Sequence, residues 1–109
     1  MTQAARLVLL AVLAALPVAS ARADATAQTV NPAGEKLYKS ACVVCHASGA
    51  ANAPKLGDRQ VWAPYAARGA DALLATVLTG KGAMPPRGGS SADEATLRAA
   101  VEYMLSSAR

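Results

Sequence analysis

Residues 42–46 read Cys-Val-Val-Cys-His, and this stretch decides how the rest of the chain is interpreted. In a helix, positions i, i+3 and i+4 share one face, so the Cys42 and Cys45 thiols and the His46 imidazole converge on one side. The spacing C-x-x-C-H is the attachment motif of c-type haem, in which both thiols bind the macrocycle. We therefore predict one haem c, covalently bound through Cys42 and Cys45, with His46 as the proximal iron ligand.

Three other uses of this motif are alternatives to haem attachment. A thioredoxin-like thiol pair needs strands around it, and the sequence shows no alternating strand pattern. Structural zinc needs four ligands, whereas the chain has two Cys and one His, so carboxylates or a second chain would have to complete the site. A plain disulfide between Cys42 and Cys45 suits an exported protein, but it gives His46 no role.

The N-terminal residues have the three-part layout of a secretory signal peptide. A short start with one basic residue precedes the apolar run 7–19, and 21–23 (Ala-Arg-Ala) offers a small-x-small cleavage site. The alternative is a transmembrane helix, but crossing the hydrocarbon takes about 20 apolar residues, whereas the run 7–19 has 13. We predict a cleaved signal peptide over 1–23, a flexible tail over 24–30 and one domain over 31–109. The mature protein is then periplasmic, without a stable membrane span.

Charge and composition limit the partners and the core. The chain has 11 Lys and Arg, of which Arg6 and Arg22 leave with the leader, so nine remain against seven Asp and Glu, a net charge of +2. No long basic run occurs, so nucleic acid is not expected as a partner. With no Phe, one Trp and three Tyr, a domain of this size has a thin core. A large apolar cofactor would complete that core.

The remaining pattern predicts an all-α fold, a single small cytochrome c-type domain of about four helices packed around one covalent haem. Gly-, Ala- and Pro-rich stretches at 47–57 and 81–89 predict loops between the helices. The predicted helices cover 33–44 behind the N-cap Asn31, 58–67 capped by Asp58, the stripe 73–78 ended by Gly80, and a last helix reaching about 107 behind the capping box 91–94 (Ser-Ala-Asp-Glu).

The sixth iron ligand has one strong candidate, Met84. The chain has no second His, Met1 leaves with the leader, and Met104 belongs to the apolar face of the last helix. Met84 lies in the loop 82–89 (Gly-Ala-Met-Pro-Pro-Arg-Gly-Gly), which proline stiffens, and its thioether suits haem iron. The alternative is a methionine that fills a gap in the surface.

A ligating histidine also needs an acceptor for its second ring nitrogen. The loop after His46 must supply it, and we choose the Pro54 carbonyl because the proline ring fixes the local backbone. An ordinary loop proline is the alternative. If these assignments hold, Cys42, Cys45, His46 and Met84 line one cavity.

From Gly34 to Leu105 the chain resembles class I c-type cytochromes, most of all the bacterial cytochrome c5-like branch. The stretches that carry the resemblance are Cys42–His46, 53–56 (Ala-Pro-Lys-Leu), 62–64 (Trp-Ala-Pro) and 82–89. The resemblance implies that His46 and Met84 are the axial ligands and that the Pro54 carbonyl accepts a hydrogen bond from His46 Nδ1.

The resemblance assigns further residues to the cofactor and to the helix packing. It implies that Leu56 packs on the haem and that Trp62 lies near a haem propionate. It also implies that an N-terminal helix containing Gly34 and Tyr38 crosses the C-terminal helix at Tyr103.

These features together predict an electron carrier that is not an enzyme. An iron with two axial ligands has no open site for a substrate, and the sequence offers no second His and no paired catalytic carboxylates. We expect a monomeric protein that cycles Fe(II)/Fe(III) with redox protein partners. The alternatives are a haem enzyme or ligand sensor with a labile sixth ligand, and a cytochrome subunit of a dehydrogenase complex.

Three cations lie on the two loops that flank the predicted haem, namely Lys55, Lys81 and Arg87. Clustered charge steers protein encounters even when the net charge is small. We predict that these cations surround the exposed haem edge and face an acidic partner. The alternative is an ordinary solvated surface; association rates that do not respond to salt or to charge reversal would then indicate an apolar docking surface around Ala83, Pro85 and Pro86.

Overall fold

The computed structural model describes residues 30–109, and within them every regular secondary-structure element is a helix. The predicted signal peptide (1–23) and residues 24–29 of the predicted tail lie outside the described residues. The all-α prediction is confirmed for the described part of the chain. The helices are α1 (Pro32–Leu37), a π-helical turn (Tyr38–Cys42), α2 (Val43–His46), α3 (Arg59–Arg68), α4 (Ala70–Thr79) and α5 (Glu94–Ser107), with short 3₁₀ turns at Ala50–Asn52 and Pro86–Gly89.

The first three of these segments form one helix without a break, longer at both ends than the predicted 33–44. Asn31 caps its start, because its side chain accepts a hydrogen bond of 2.9 Å from the Ala33 N–H. In the middle the helix widens, and the Val43 N–H donates to the Tyr38 carbonyl five residues earlier. The helix therefore carries both cysteines and His46 on its last two turns.

Two more caps show how local sequence sets the helix boundaries. Asp58 caps α3 as predicted, accepting from the Val61 N–H at 3.2 Å. The predicted capping box with Ser91 at its head is wrong, because α5 begins at Glu94 behind the N-cap Asp93. Asp93 accepts from the Thr96 N–H at 2.8 Å. A carboxylate two residues nearer to the helix takes this role, while the Ala92 N–H donates to Ser90 in the preceding turn.

The N-terminal helix crosses α5 at close range. Gly34 is buried, and a Cβ atom there would overlap the Ala99 carbonyl of α5. One turn further on, the rings of Tyr38 and Tyr103 pack with their centroids 5.4 Å apart. This is the crossing that the resemblance implied, and it fixes the direction in which the helix delivers Cys42–His46.

The buried side chains form two small clusters rather than one wide core. One joins Leu37 to Leu74, Leu97 and Ala100. The other is built from Tyr38, Trp62 and Met104, with Leu56 and Tyr65 packed against it. This core is as thin as the composition predicted, and a cavity lies beside both clusters.

Candidate haem site

A cavity of about 350 Å³ opens among the helices and the loops after His46 and α4. Its lining brings together Cys42, Cys45, His46 and Met84, the four residues that the sequence placed at one site. Most of the remaining wall is apolar, and its larger side chains are Trp62, Leu73, Val77, Leu97, Val101 and Met104. The fold therefore collects two thiols, an imidazole and a thioether in an apolar space.

Cys42 and Cys45 form no disulfide with each other, and both are half-buried. Burial raises the pKa of the Cys42 thiol, because the thiolate is poorly solvated there. A thiol that acts as a redox nucleophile needs a lowered pKa, so the surroundings of Cys42 do not fit a thioredoxin-like pair. The raised pKa agrees instead with an apolar wall on this side of the cavity.

His46 is held in one orientation by the loop that follows it. Its Nδ1 donates to the Pro54 carbonyl at 2.8 Å, so the hydrogen bond that the sequence analysis assigned to Pro54 is present. The Leu56 N–H closes the same loop by donating to the His46 carbonyl at 2.8 Å. With Nδ1 occupied, Nε2 is the ring nitrogen left to bind a metal, which is the usual arrangement around ligating histidines.

Met84 is held by backbone contacts at the end of α4. Lys81 and Met84 exchange two hydrogen bonds, N–H to carbonyl in each direction, both 2.9 Å long. Gly80 lies against the same loop, where a Cβ atom would come within 2.7 Å of the Met84 carbonyl oxygen and 2.8 Å of the Pro86 nitrogen. The Met84 side chain is half-buried and contributes to the cavity wall.

The resemblance placed both Trp62 and Leu56 at the haem, but of these two only Trp62 lines the cavity. Trp62 is buried in the cavity wall, with its ring centroid 6.1 Å from that of His46. Its indole N–H donates to the Lys55 carbonyl at 2.7 Å, so this group is already used and is not free for a propionate. Leu56 is not among the lining residues; it packs behind the wall against the cluster of Tyr38, Trp62 and Met104.

The charged residues in the cavity wall all carry the same sign. They are Arg68, Lys81 and Arg87, and within residues 30–109 no Asp or Glu lines the cavity. Lys55 does not line it either, because its side chain lies over Gly49. The sequence analysis missed Arg68, although Trp62, Tyr65 and Arg68 recur at intervals of three on α3, a spacing that places them along one side of a helix.

This arrangement fits a covalently bound haem. The thiols can take up the two thioether bonds, Nε2 of His46 and the thioether of Met84 are donors that haem iron accepts, and the apolar wall suits the macrocycle. The cations of a wall that is lined by no Asp or Glu suit the two negative propionates. No helix among residues 30–109 has the length and apolar character needed to cross a membrane.

Comparisons with known proteins agree with this fit. Residues 30–104 match the family described as Cytochrome C oxidase, cbb3-type, subunit III. Cytochrome c-555 of Chlorobaculum thiosulfatiphilum is 38% identical over 78 residues, covering 67% of this chain and 91% of that protein. Cytochrome c5 of Azotobacter vinelandii is 39% identical over 74 residues, covering 65% and 89%. A chain in a crystal structure of an electron transfer complex of nitrite reductase with cytochrome c is 80% identical, with a TM-score of 0.73, and the match covers 73% of this chain and 99% of that chain.

Proposed function

Since the chain belongs to the class I c-type cytochromes, in their c5-like branch, and carries one covalent haem c, we propose that it is a periplasmic single-electron carrier with His46 and Met84 as axial ligands. When bound, the haem supplies the one-electron Fe(II)/Fe(III) couple. The observation that carries the proposal is the shared cavity in which His46 and Met84 meet the two thiols.

The residues of the chain divide the work of holding the cofactor. Cys42 and Cys45 attach it, and the hydrogen bond from His46 to Pro54 fixes the imidazole plane and directs Nε2 toward the cavity. The Met84 loop forms another part of the wall. Histidine–methionine ligation raises the reduction potential relative to other axial sets, which suits a carrier that accepts electrons from reduced enzymes and passes them on.

The cavity favours a carrier over an enzyme or a ligand sensor. Its lining includes no Asp or Glu, and Nδ1 of its one histidine, His46, is engaged by Pro54. General acid–base catalysis needs such a group within reach of a substrate. With Met84 and His46 as the two axial ligands, no coordination position would remain open for a substrate.

Replacing Met84 by alanine tests the ligation. In the oxidised holoprotein, Met84→Ala should abolish the methionine–iron charge-transfer band, lower the reduction potential and open the sixth position to imidazole. Met104→Leu is the matched control, because it removes the other thioether in the cavity wall with little change of volume. A Met84→Ala protein that keeps the wild-type band and potential would refute the assignment.

Export and domain boundaries are part of the proposal. We propose that residues 1–23 are removed, that 24–30 form a tail, and that 31–109 form the haem domain. The mass of holoprotein purified from a periplasmic extract tests this, since it should equal residues 24–109 plus one haem. The size of the native particle in the same extract separates a free monomer from a subunit of a larger complex.

The partner is a redox protein, and the similar chain in the nitrite reductase complex suggests a reductase of that kind. We place docking at the mouth of the cavity, where two loops expose small apolar residues and one sign of charge. The exposed apolar residues in the wall are Ala50, Ala51, Ala83 and Pro85, and the exposed cations are Arg68, Lys81 and Arg87. Such a face fits a partner with an apolar centre and acidic residues around it.

Charge reversal at Lys81 tests this docking face. Lys81→Glu should slow association with the reductase. The wild-type rate should fall as salt rises, because charges more than about 8 Å apart are already largely screened at physiological ionic strength. Lys36→Glu is the matched control, since Lys36 is an exposed cation on α1 that does not line the cavity. Equal rates for Lys81→Glu and wild type at low salt would contradict a charge-guided face and leave the apolar residues as the contact.

A further inference from the structure

We propose that Arg87 is a positioning residue, which ties the Met84 loop to the start of α5 and thereby keeps the Met84 thioether on the haem iron. This inference rests on the ligation proposed above. It concerns a residue that the sequence analysis assigned to partner docking. The backbone, the side-chain contacts and the loop around Arg87 each support it.

The backbone of Arg87 has an unusual conformation. Its φ of 57° and ψ of 23° lie in the left-handed region, which a residue with a Cβ atom adopts at a cost. The next two positions, Gly88 and Gly89, also have positive φ and are occupied by glycine. An arginine in such a run needs an interaction that glycine cannot provide, and strained residues of this kind often mark functional positions.

The side chain of Arg87 provides that interaction, and its carbonyl makes further contacts in the same turn. Arg87 Nη1 donates to the Ala92 carbonyl at 2.9 Å. The Arg87 carbonyl accepts from the Ser90 N–H at 3.0 Å and from Ser90 Oγ at 2.8 Å. Because Ala92 directly precedes Asp93, the N-cap of α5, Arg87 connects the loop to the point where that helix begins.

The connection reaches Met84 through a short and stiff segment. Pro85 and Pro86 separate Met84 from Arg87, and a proline ring restricts φ at each of these positions. The Gly88 N–H donates to the Pro85 carbonyl at 3.0 Å and closes the turn. The N-terminal side of the loop is fixed by the paired hydrogen bonds between Lys81 and Met84, so Arg87 provides the side-chain anchor on the C-terminal side.

Imidazole binding to the oxidised holoprotein measures how readily Met84 leaves the iron. Arg87→Gln keeps the Cβ atom and removes the guanidinium, and we expect imidazole to bind about fivefold more tightly, the effect of losing one exposed charged hydrogen bond. Arg59→Gln is the matched control, because it removes the same group from an exposed position of α3 that does not line the cavity. Its imidazole affinity should stay within about twofold of wild type.

A second variant separates the effect of the lost side-chain hydrogen bond from the effect of the backbone strain at Arg87. Arg87→Gly relieves the left-handed backbone and also removes the side chain, and it should bind imidazole more tightly, as Arg87→Gln does. Wild-type affinity in Arg87→Gln, or an equal change in Arg59→Gln, would overturn the inference. Wild-type affinity in Arg87→Gly alone would overturn it too, because strain would then explain the glutamine variant. A wild-type protein without the methionine–iron band would instead refute the ligation itself.

Discussion

Gly34 is where the fold tolerates a side chain least. A Cβ atom at this position would overlap the Ala99 carbonyl and lie 2.9 Å from the Ala100 nitrogen, both on α5. These are backbone atoms within a helix, so they cannot rotate away as the end of a flexible side chain can. Gly34→Ala therefore forces the N-terminal helix and α5 apart, and the displacement continues along that helix to His46.

The size of the effect follows from two opposed terms. In an exposed helix, replacing glycine by alanine stabilises by about 1 kcal/mol. At Gly34 the added methyl group overpacks a backbone contact, which costs about 1–3 kcal/mol and belongs near the upper end here. We expect a net destabilisation of about 1–2 kcal/mol, which for a domain of this size lowers Tm by about 5–15 °C.

Thermal unfolding of the oxidised holoprotein, followed by circular dichroism, measures this change. Lys36→Ala is the control, because it alters an exposed position of the same helix and should shift Tm little. The methionine–iron band recorded during the same heating run shows whether the site loosens before the helices melt. A Gly34→Ala protein with a Tm at or above that of wild type would refute the close backbone crossing.

Three further changes have defined outcomes. Gly80→Ala should weaken the methionine–iron band while leaving haem attached, because its Cβ atom would collide with the Met84 carbonyl; an unchanged band would contradict this. The hydrogen bond from Thr96 lowers the pKa of Asp93. The ionised Asp93 carboxylate therefore stabilises the fold above its unfolded pKa, and this stabilisation is lost as pH falls through the folded pKa. Asp93→Asn keeps a cap, so the Tm of this variant should depend less on pH below about pH 4 than the Tm of wild type. Cys42→Ala and Cys45→Ala should each lower the yield of holoprotein, and a normal yield of haem-free helical protein from the double variant would contradict the role of haem as core.

The attachment part of the site could be predicted from sequence because its geometry is local. Cys42, Cys45 and His46 lie within five residues, and helical spacing alone places them on one side. The helices were also predictable, since their apolar stripes and caps recur at short intervals. The N-cap of α5 was misplaced by two residues because Ser91 and Asp93 are both good caps, and the contacts of the preceding turn decide between them.

Other features depend on residues that are far apart in sequence. Arg68 lies in the cavity wall because α3 packs beside the cavity. Leu56 lies outside the wall because it packs against the cluster that contains Tyr38 and Met104. Lys55 turns over Gly49 instead of joining the other cations at the cavity. Local sequence places these side chains on loops or helix faces, but tertiary packing decides which way each face points.

The two axial positions therefore differ in how the chain secures them. His46 belongs to a helix and is tied to Pro54 eight residues away, so its orientation follows from one short segment. Met84 lies in a loop whose position depends on Gly80 on one side and on the Arg87 contact to Ala92 on the other. Met84 stays in place only while both of these contacts hold, so displacement of the helices should move Met84 before it moves His46. Substitutions that loosen the fold should then release the thioether while the haem stays attached and His46 stays bound.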